Sequence, residues 1–467
     1  MLTISIYVLL GLAIALVEGV RFYRRRSIDA LTFFGFYYFL LFVLAPINVL
    51  IYGDSVVRQK HAYHTFGPGD EVTALCILTC YALFLIGYQL NPEIGRQRMR
   101  LSGEGNCYSV KTAARISVVY FVIGAAAMSY NVVEVGGFLD VVRQAPFIRS
   151  GVFAFEGKFV FIRQFIAFLS AAFLLYLAVC LRKTVSNQGV TAGDKAIMVV
   201  MGIALFYYAL GTGGRREFLY PVLLYFLLAS AIGRRVGVRI VVVAVLIVAA
   251  AASSLAVTGL LALDEMFRYQ EEILDLVYLN TVQGIADSYI HFVGMQRADL
   301  WQFGFMRDIV ELPLQMLPSR VFEIDRGRGV FGETSQFFRG EQLADNLSGE
   351  EPPGLHGYLL VNFGYVGLFV MFCLLGVAYR WLHNVFKPAN SKDAIAWLIY
   401  WWVFFGFFVV FREGVVALAI KQHASWWLAI ILLMLSRRRA SGLGSPAIAG
   451  QSARRPANVP THRAVNQ

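Results

Sequence analysis

Residues 2–20 read LTISIYVLLGLAIALVEGV and are followed directly by RFYRRR at 21–26. A helix over that apolar run rises about 28 Å, close to the thickness of a bilayer's hydrocarbon core. A secretory leader carries its positive charge ahead of the apolar run; here Arg21, Arg24, Arg25 and Arg26 come after it. That order predicts a retained spanning helix with the N-terminus outside.

Working outward, the same test finds about eleven segments long and apolar enough to span: 2–20, 29–52, 71–91, 115–132, 161–181, 195–211, 216–232, 238–258, 355–382, 393–411 and 415–436. The chain is 58% hydrophobic and 15% charged, with 38 Phe and 23 Tyr, more apolar surface than a soluble domain of 467 residues can hide. The expected fold class is therefore an all-α polytopic membrane protein. With the N-terminus outside, the inside connections are 21–28, 92–114, 182–194, 233–237 and 383–392, each basic or close to it, as the positive-inside rule requires. The tail from Arg437 carries six arginines and no acid, and reads as a disordered inside segment.

Between Thr258 and Pro353 lies a polar island far longer than an ordinary connection. From Asp264 to Glu351 it holds 16 of the chain's 30 acidic residues and 7 arginines, a net charge of −9. The chain thus divides into an N-terminal membrane bundle (1–258, about eight helices), a large outside loop (259–354), about three C-terminal membrane helices (355–436) and the basic tail (437–467). Within the loop, 264–285 and 309–317 carry apolar residues at helical spacing, and 325–340 reads as an irregular Gly/Arg segment. Gly53–Asp70 and Val133–Phe159 are expected as shorter outside loops.

The net charge of +11 resides in short clusters flanking apolar spans. That pattern fits anchoring against anionic lipid and gives no nucleic-acid-binding face. Five scattered cysteines suggest neither a disulfide framework nor a zinc site, and Cys76 and Cys80 are expected on one helix face. No cofactor or metal site is expected.

Four polar constellations stand out in and between these spans. Gly211-Thr212-Gly213-Gly214-Arg215-Arg216 forms an outside turn opening a helix. Glycines that admit close backbone approach, a helix N-terminus and two guanidiniums make an anion site suited to phosphate. The plainer reading is a tight turn whose arginines reach lipid headgroups, but such turns normally lie inside. Next, Pro352-Pro353-Gly354-Leu355-His356-Gly357-Tyr358 leads back into the membrane, with His356 at the outer end of a span and Asn362 within it. His356 is placed either to accept a proton from an attacking hydroxyl or to bond a loop carbonyl. Asn362 is expected to hydrogen-bond between helices. Finally, Arg412 and Glu413 occupy a short outside turn before Lys421 and His423, and Arg320, Glu323, Asp325, Arg326 and Arg328 form a charged knot in the loop.

Gly213-Gly214-Arg215-Arg216-Glu217 resembles the small-residue/arginine turn of bacterial O-antigen and oligosaccharide repeat-unit polymerases of the Wzy type. Phe303-Gly304-Phe305 through Leu314, Pro318 and Arg320 is similar to the end of that family's large periplasmic loop. Gly357-Tyr358-Leu359-Leu360-Val361-Asn362-Phe363-Gly364-Tyr365-Val366-Gly367 resembles its recurrent helix start, although many members carry glutamate where this chain has Tyr358. The likeness covers the whole chain in architecture and three short stretches in sequence.

The resemblance implies a C-type glycosyltransferase fold in the bacterial inner membrane, similar also to O-antigen ligases, with a periplasmic N-terminus and a cytoplasmic C-terminus. It implies an enzyme joining oligosaccharides carried on undecaprenyl diphosphate, with an O-antigen ligase or a lipid-linked oligosaccharide flippase as alternatives. A chain-length regulator and a flippase are the partners it implies besides the bilayer. On that reading Arg215, Arg216, Arg412, Arg320 and Arg328 hold the diphosphate and glycan. His356, Asp325 or Glu333 serves in catalysis, with Glu351 a further acid of the loop.

Overall fold

The structure is a computed structural model that describes residues 2–25, 28–53, 69–90, 108–150, 160–212, 215–233, 286–298, 353–388, 393–414, 416, 420 and 423–442. Every regular element of three or more residues among them is helical. Eight helical runs are long and apolar enough to cross a membrane: Leu2–Tyr23, Ala30–Ile51, Glu71–Leu90, Val110–Val135, Phe161–Val185, Ala192–Gly211, Gly354–Phe386 and Ala394–Glu413. The protein is a multi-pass membrane protein. Of the eleven expected spans, 216–232 and 415–436 contain shorter apolar helices, Tyr220–Ala231 and Ala424–Ser436, and 238–258 lies outside the described residues.

In chain order the helices are α1 (Leu2–Arg25), α2 (Ala30–Phe39), α3 (Ala45–Tyr52), α4 (Glu71–Leu90), α5 (Val110–Val135), α6 (Phe138–Ser150), α7 (Phe168–Val185), α8 (Ala192–Thr212) and α9 (Arg215–Ala231). They continue with α10 (286–297), α11 (Gly354–Phe386), α12 (Ala394–Glu413) and α13 (Ala424–Gly442). A π-helical turn, Leu40–Leu44, joins α2 to α3 just before Pro46. Proline has no N–H to return to a carbonyl four residues back, and the wider turn absorbs that missing bond.

Helix α12 is the hub. Its sequence, AIAWLIYWWVFFGFFVVFRE, is apolar on every face, and Tyr400, Trp401, Trp402, Phe404 and Phe405 are all buried. A helix with no polar face belongs in the middle of a bundle. Small residues allow the closest approaches. Gly376 of α11 lies against the backbone of Phe84 and Tyr88 in α4, and Gly87 of α4 lies against the Cys373 carbonyl.

The two ends of the bundle gather different loops. At one end, Tyr400 Oη accepts from the Ala30 amide (2.8 Å) and Tyr379 donates to the Ala30 carbonyl (2.8 Å), so the start of α2 is tied to α11 and α12. Asp29 caps α2 through the Leu31 and Thr32 amides, Asp393 caps α12, and Arg182 reaches both Asp393 (3.3 Å) and the Tyr108 carbonyl. This end holds the connections predicted as inside. The connections predicted as outside meet at the other end, where Thr3 donates to Glu71 and Gly69 lies against α10. Val133–Phe159, expected as a loop, is largely helix: α5 runs to Val135, stops at Gly136 (φ +106°) and is followed by α6. Its Phe138, Val141, Val142 and Ala145 keep helical spacing.

The Arg21–Asp29 ion pair sits mostly buried at the first end. Burial works against the Asp29 carboxylate, but the hydrogen bond and charge of Arg21 outweigh it and hold the group below its ordinary range. A carboxylate depressed in the fold contributes stability that is complete above its unfolded value, near 3.8, and lost as pH falls through the folded value. Arg21→Met strands a buried carboxylate and is expected to cost about 3–5 kcal/mol. Unfolding in detergent micelles, followed by tryptophan fluorescence across pH 3–7 (roughly the carboxylate titration range), checks both. The Arg21→Met penalty should shrink at the acid end.

Candidate functional site

The end of the bundle holding the predicted outside connections is built around α10. Its Ala286, Ser288, Tyr289, Ile290, His291, Phe292, Val293 and Met295 are all buried, so this helix is wedged into the protein. Tyr289 Oη accepts from the Gly69 amide (3.2 Å) and the Tyr7 hydroxyl (3.3 Å), joining α10 to α1 and the start of α4. Gln296 and Arg297 close the same corner, against the Thr73 hydroxyl (2.6 Å) and Asp70 (3.9 Å). Burial disfavours ionised Asp70, yet hydrogen bonds from Thr73 and the nearby Arg297 bring its carboxyl below the ordinary value.

Beside α10, the start of α11 meets the end of α12. Gly354 has φ +66° and Gly414 has φ +79°; a Cβ on Gly414 would lie 2.4 Å from the Gly354 carbonyl oxygen. Only glycine holds a left-handed turn and such an approach together. Ser288 Oγ donates to the Arg412 carbonyl (3.0 Å), which fixes the last turn of α12 against α10. Arg412 therefore stands half-buried where the two predicted re-entry points meet, at a helix C-terminus that favours a cation.

Helix α9 begins at Arg215 and packs against α12, with Tyr220 against Phe405 (5.3 Å between rings) and near His423 (6.2 Å). The two helices run in opposite directions, so the start of α9 and the Arg412 end of α12 share one end of the bundle. Pro221 lies within α9, and the helix continues through it. The side chains of Arg215 and Arg216 are outside the described set, as are Arg320, Asp325, Arg328, Glu333 and Glu351 entirely.

His356 is placed differently from the interfacial position its sequence suggests. It is fully buried, boxed by Phe42 (4.1 Å between rings), Phe372 (4.5 Å), Phe292 (5.5 Å) and Tyr38 (5.7 Å). Tyr38 Oη donates to the Ile77 carbonyl (2.8 Å) and lies 3.0 Å from His356 Nε2. Tyrosine has one proton, so with that proton on Ile77 the Nε2–H donates to Tyr38. Nδ1, which has no hydrogen-bond partner among the described residues, is then a bare lone pair, a smaller penalty than an orphaned N–H. A sugar hydroxyl would have to displace an aromatic wall to reach it.

The likeness-bearing stretch 357–367 carries a backbone break. Gly364 has φ +65° and ψ −172°, a region open essentially to glycine, in the middle of α11. Asn362 Nδ2 donates to the Tyr358 carbonyl of its own helix (2.8 Å). Beyond the break, 365–386 is about 33 Å of helix, the length of one span. The turns bearing His356 and Asn362 form a separate piece at the α10 end.

Sequence reasoning misses α10, Tyr38, Ser288 and Tyr289. The buried spacing of Ala286, Tyr289, Ile290 and Val293 is the available signal for α10; nothing local marks Tyr38 as the partner of a histidine 318 residues away. No three His, Cys, Asp or Glu side chains cluster among the described residues. Comparison with known proteins finds no matching family model, no similar curated protein and no similar solved structure.

Proposed function

We propose that this chain is an inner-membrane glycosyltransferase of bacteria that polymerises oligosaccharide repeat units carried on undecaprenyl diphosphate at the periplasmic face. The observation that carries the reading is the convergence at one end of the bundle. The start of α9, the Arg412 turn, α10 of the acidic loop and the start of α11 share that end, above apolar spans. A transporter concentrates polar groups near mid-membrane; this chain concentrates them at the ends of the bundle and in its loop.

In this reading the diphosphate of the donor is held by Arg215, Arg216 and Arg412, with Arg320 and Arg328 of the loop facing the glycan. A hydroxyl oxygen of the incoming repeat attacks the anomeric carbon. The bond from that carbon to the diphosphate oxygen breaks, and the diphosphate leaves with the electron pair. Fixed guanidiniums stabilise the charge that builds on the leaving group, commonly the largest catalytic term. The hydroxyl proton passes to a carboxylate of the loop, Asp325, Glu333 or Glu351. His356, walled in by aromatics, takes a packing role.

That assignment makes His356→Phe a sharp test. The aromatic volume is kept, Tyr38 still donates to Ile77, and the bare Nδ1 disappears. The variant is expected to unfold within about 1.5 kcal/mol of wild type, the upper net worth of one hydrogen bond, and to retain polymer synthesis. A folded variant with no activity would return the proton-accepting role to His356.

The surface polysaccharide of a strain deleted for this protein tests the whole reading. Collapse of the ladder to core bearing a single repeat is the expected result. Loss of every repeat from the core, with glycan accumulating on the carrier outside, would make the protein a ligase. Accumulation on the cytoplasmic side would make it a flippase.

A further inference from the structure

The other end of the bundle carries a groove that the proposed chemistry does not use. It has a volume of about 760 Å³ and lies between α5 and α7. Lys111 and Arg115 of α5 and Lys183 of α7 line it, together with Ala114, Val118 and Val119. Lys183 is neutralised by Asp194 (2.7 and 2.9 Å). Lys111 and Arg115 are exposed and have no acidic partner among the described residues.

The order of these residues along α5 matters. Lys111 stands in the first turn, capped by Ser109, beside the polar end of the bundle where Arg182 meets Tyr108 and Asp393. Arg115 is one turn deeper. Val118, Val119 and Val122 follow at 41, 55 and 60% exposure, an open apolar strip. From Arg115 to Val119 the helix rises about 6 Å, the step from headgroup to acyl chain. Uncompensated cations at the upper level and bare valines below it match one kind of molecule.

We infer that this groove seats a phospholipid of net negative charge, its phosphate between Lys111 and Arg115 and an acyl chain along Val118 and Val119. Both cations are free to form charge-assisted hydrogen bonds to phosphate oxygens. A zwitterionic lipid carries its own cation into the same space and gains less.

The test uses the full-length protein in mild detergent with equal amounts of phosphatidylglycerol and phosphatidylcholine of matched acyl chains. Retained lipids are counted by native mass spectrometry. Each cation is worth on the order of five-fold for anionic lipid, so wild type should favour phosphatidylglycerol by roughly twenty-five-fold through the two together. Lys111→Gln with Arg115→Gln should remove most of that preference while leaving elution and thermal unfolding unchanged, because both side chains are exposed. Val118→Trp should reduce retention of both lipids by filling the groove. Equal retention of the two lipids by wild type, or undiminished preference in the double variant, would overturn the inference.

Discussion

Gly376→Val is expected to leave no monodisperse protein after extraction from the membrane. A Cβ at Gly376 would lie 2.1 Å from the Phe84 carbonyl oxygen and 2.7 Å from the Tyr88 amide nitrogen. Both are backbone atoms of a neighbouring helix, so no side-chain rotation relieves the clash. Gly87 faces the same seam, its Cβ position 1.9 Å from the Cys373 carbonyl oxygen. Helices α4 and α11 must separate, and the contacts of Phe84, Tyr88, Phe372 and Tyr379 loosen with them. Overpacking of a close-packed core costs about 1–3 kcal/mol where side chains can shift; two helix backbones cannot, so the penalty should exceed that range. Gly19→Ala gives the opposite sign. Nothing among the described residues lies within 4 Å of its Cβ position, and the change should add about 0.8–1.0 kcal/mol through helix propensity alone. Size-exclusion profiles and thermal unfolding of the pair decide the matter. A Gly376→Val protein with the elution and unfolding temperature of wild type would show that α4 and α11 do not pack this way.

The seam also shows where sequence reading ends. The spans are legible because a run of twenty apolar residues has the length and composition that a bilayer demands, and the grouping of connections at two ends follows from where the arginines and lysines fall. Gly87 and Gly376 carry no such message: a glycine in an apolar run reads the same whether its face is open, as at Gly19, or meets another backbone. The same holds for Gly364. Residues 354–386 look like one long apolar helix in the sequence, and only the left-handed φ reveals two pieces. His356 reads as an interfacial residue because it sits two residues beyond a glycine at a span's edge. Its burial depends on Phe42, Phe292 and Phe372, which come from three distant parts of the chain. Arg412 is legible for a better reason. A cation at the end of an apolar run before a glycine is a local signal, and the structure places it at the end of α12 beside α10.

Arg412→Ala and Arg215→Ala are each expected to abolish polymer synthesis while leaving the protein folded in the membrane. The argument for Arg412 starts from its surroundings. Its carbonyl, not its guanidinium, accepts the Ser288 hydrogen bond, so the joint between α10 and α12 survives loss of the side chain. Its position in the last turn of α12 is worth only a few tenths of a kcal/mol to about 1 kcal/mol through the helix dipole. Stability should therefore change little. Loss of one preorganised group that stabilises developing charge lowers turnover by about 10²–10³-fold, enough to empty a polymer ladder. The Lys variants separate charge from shape. Lysine restores a point charge without the planar pair of donors, so partial recovery of short polymers is the expected outcome for a site that binds a diphosphate. Ladders of cells expressing each variant, read beside membrane abundance and unfolding temperature, provide the check. Wild-type polymer from both alanine variants would remove these arginines from the chemistry and, with them, the case for an enzymatic site at this end of the bundle.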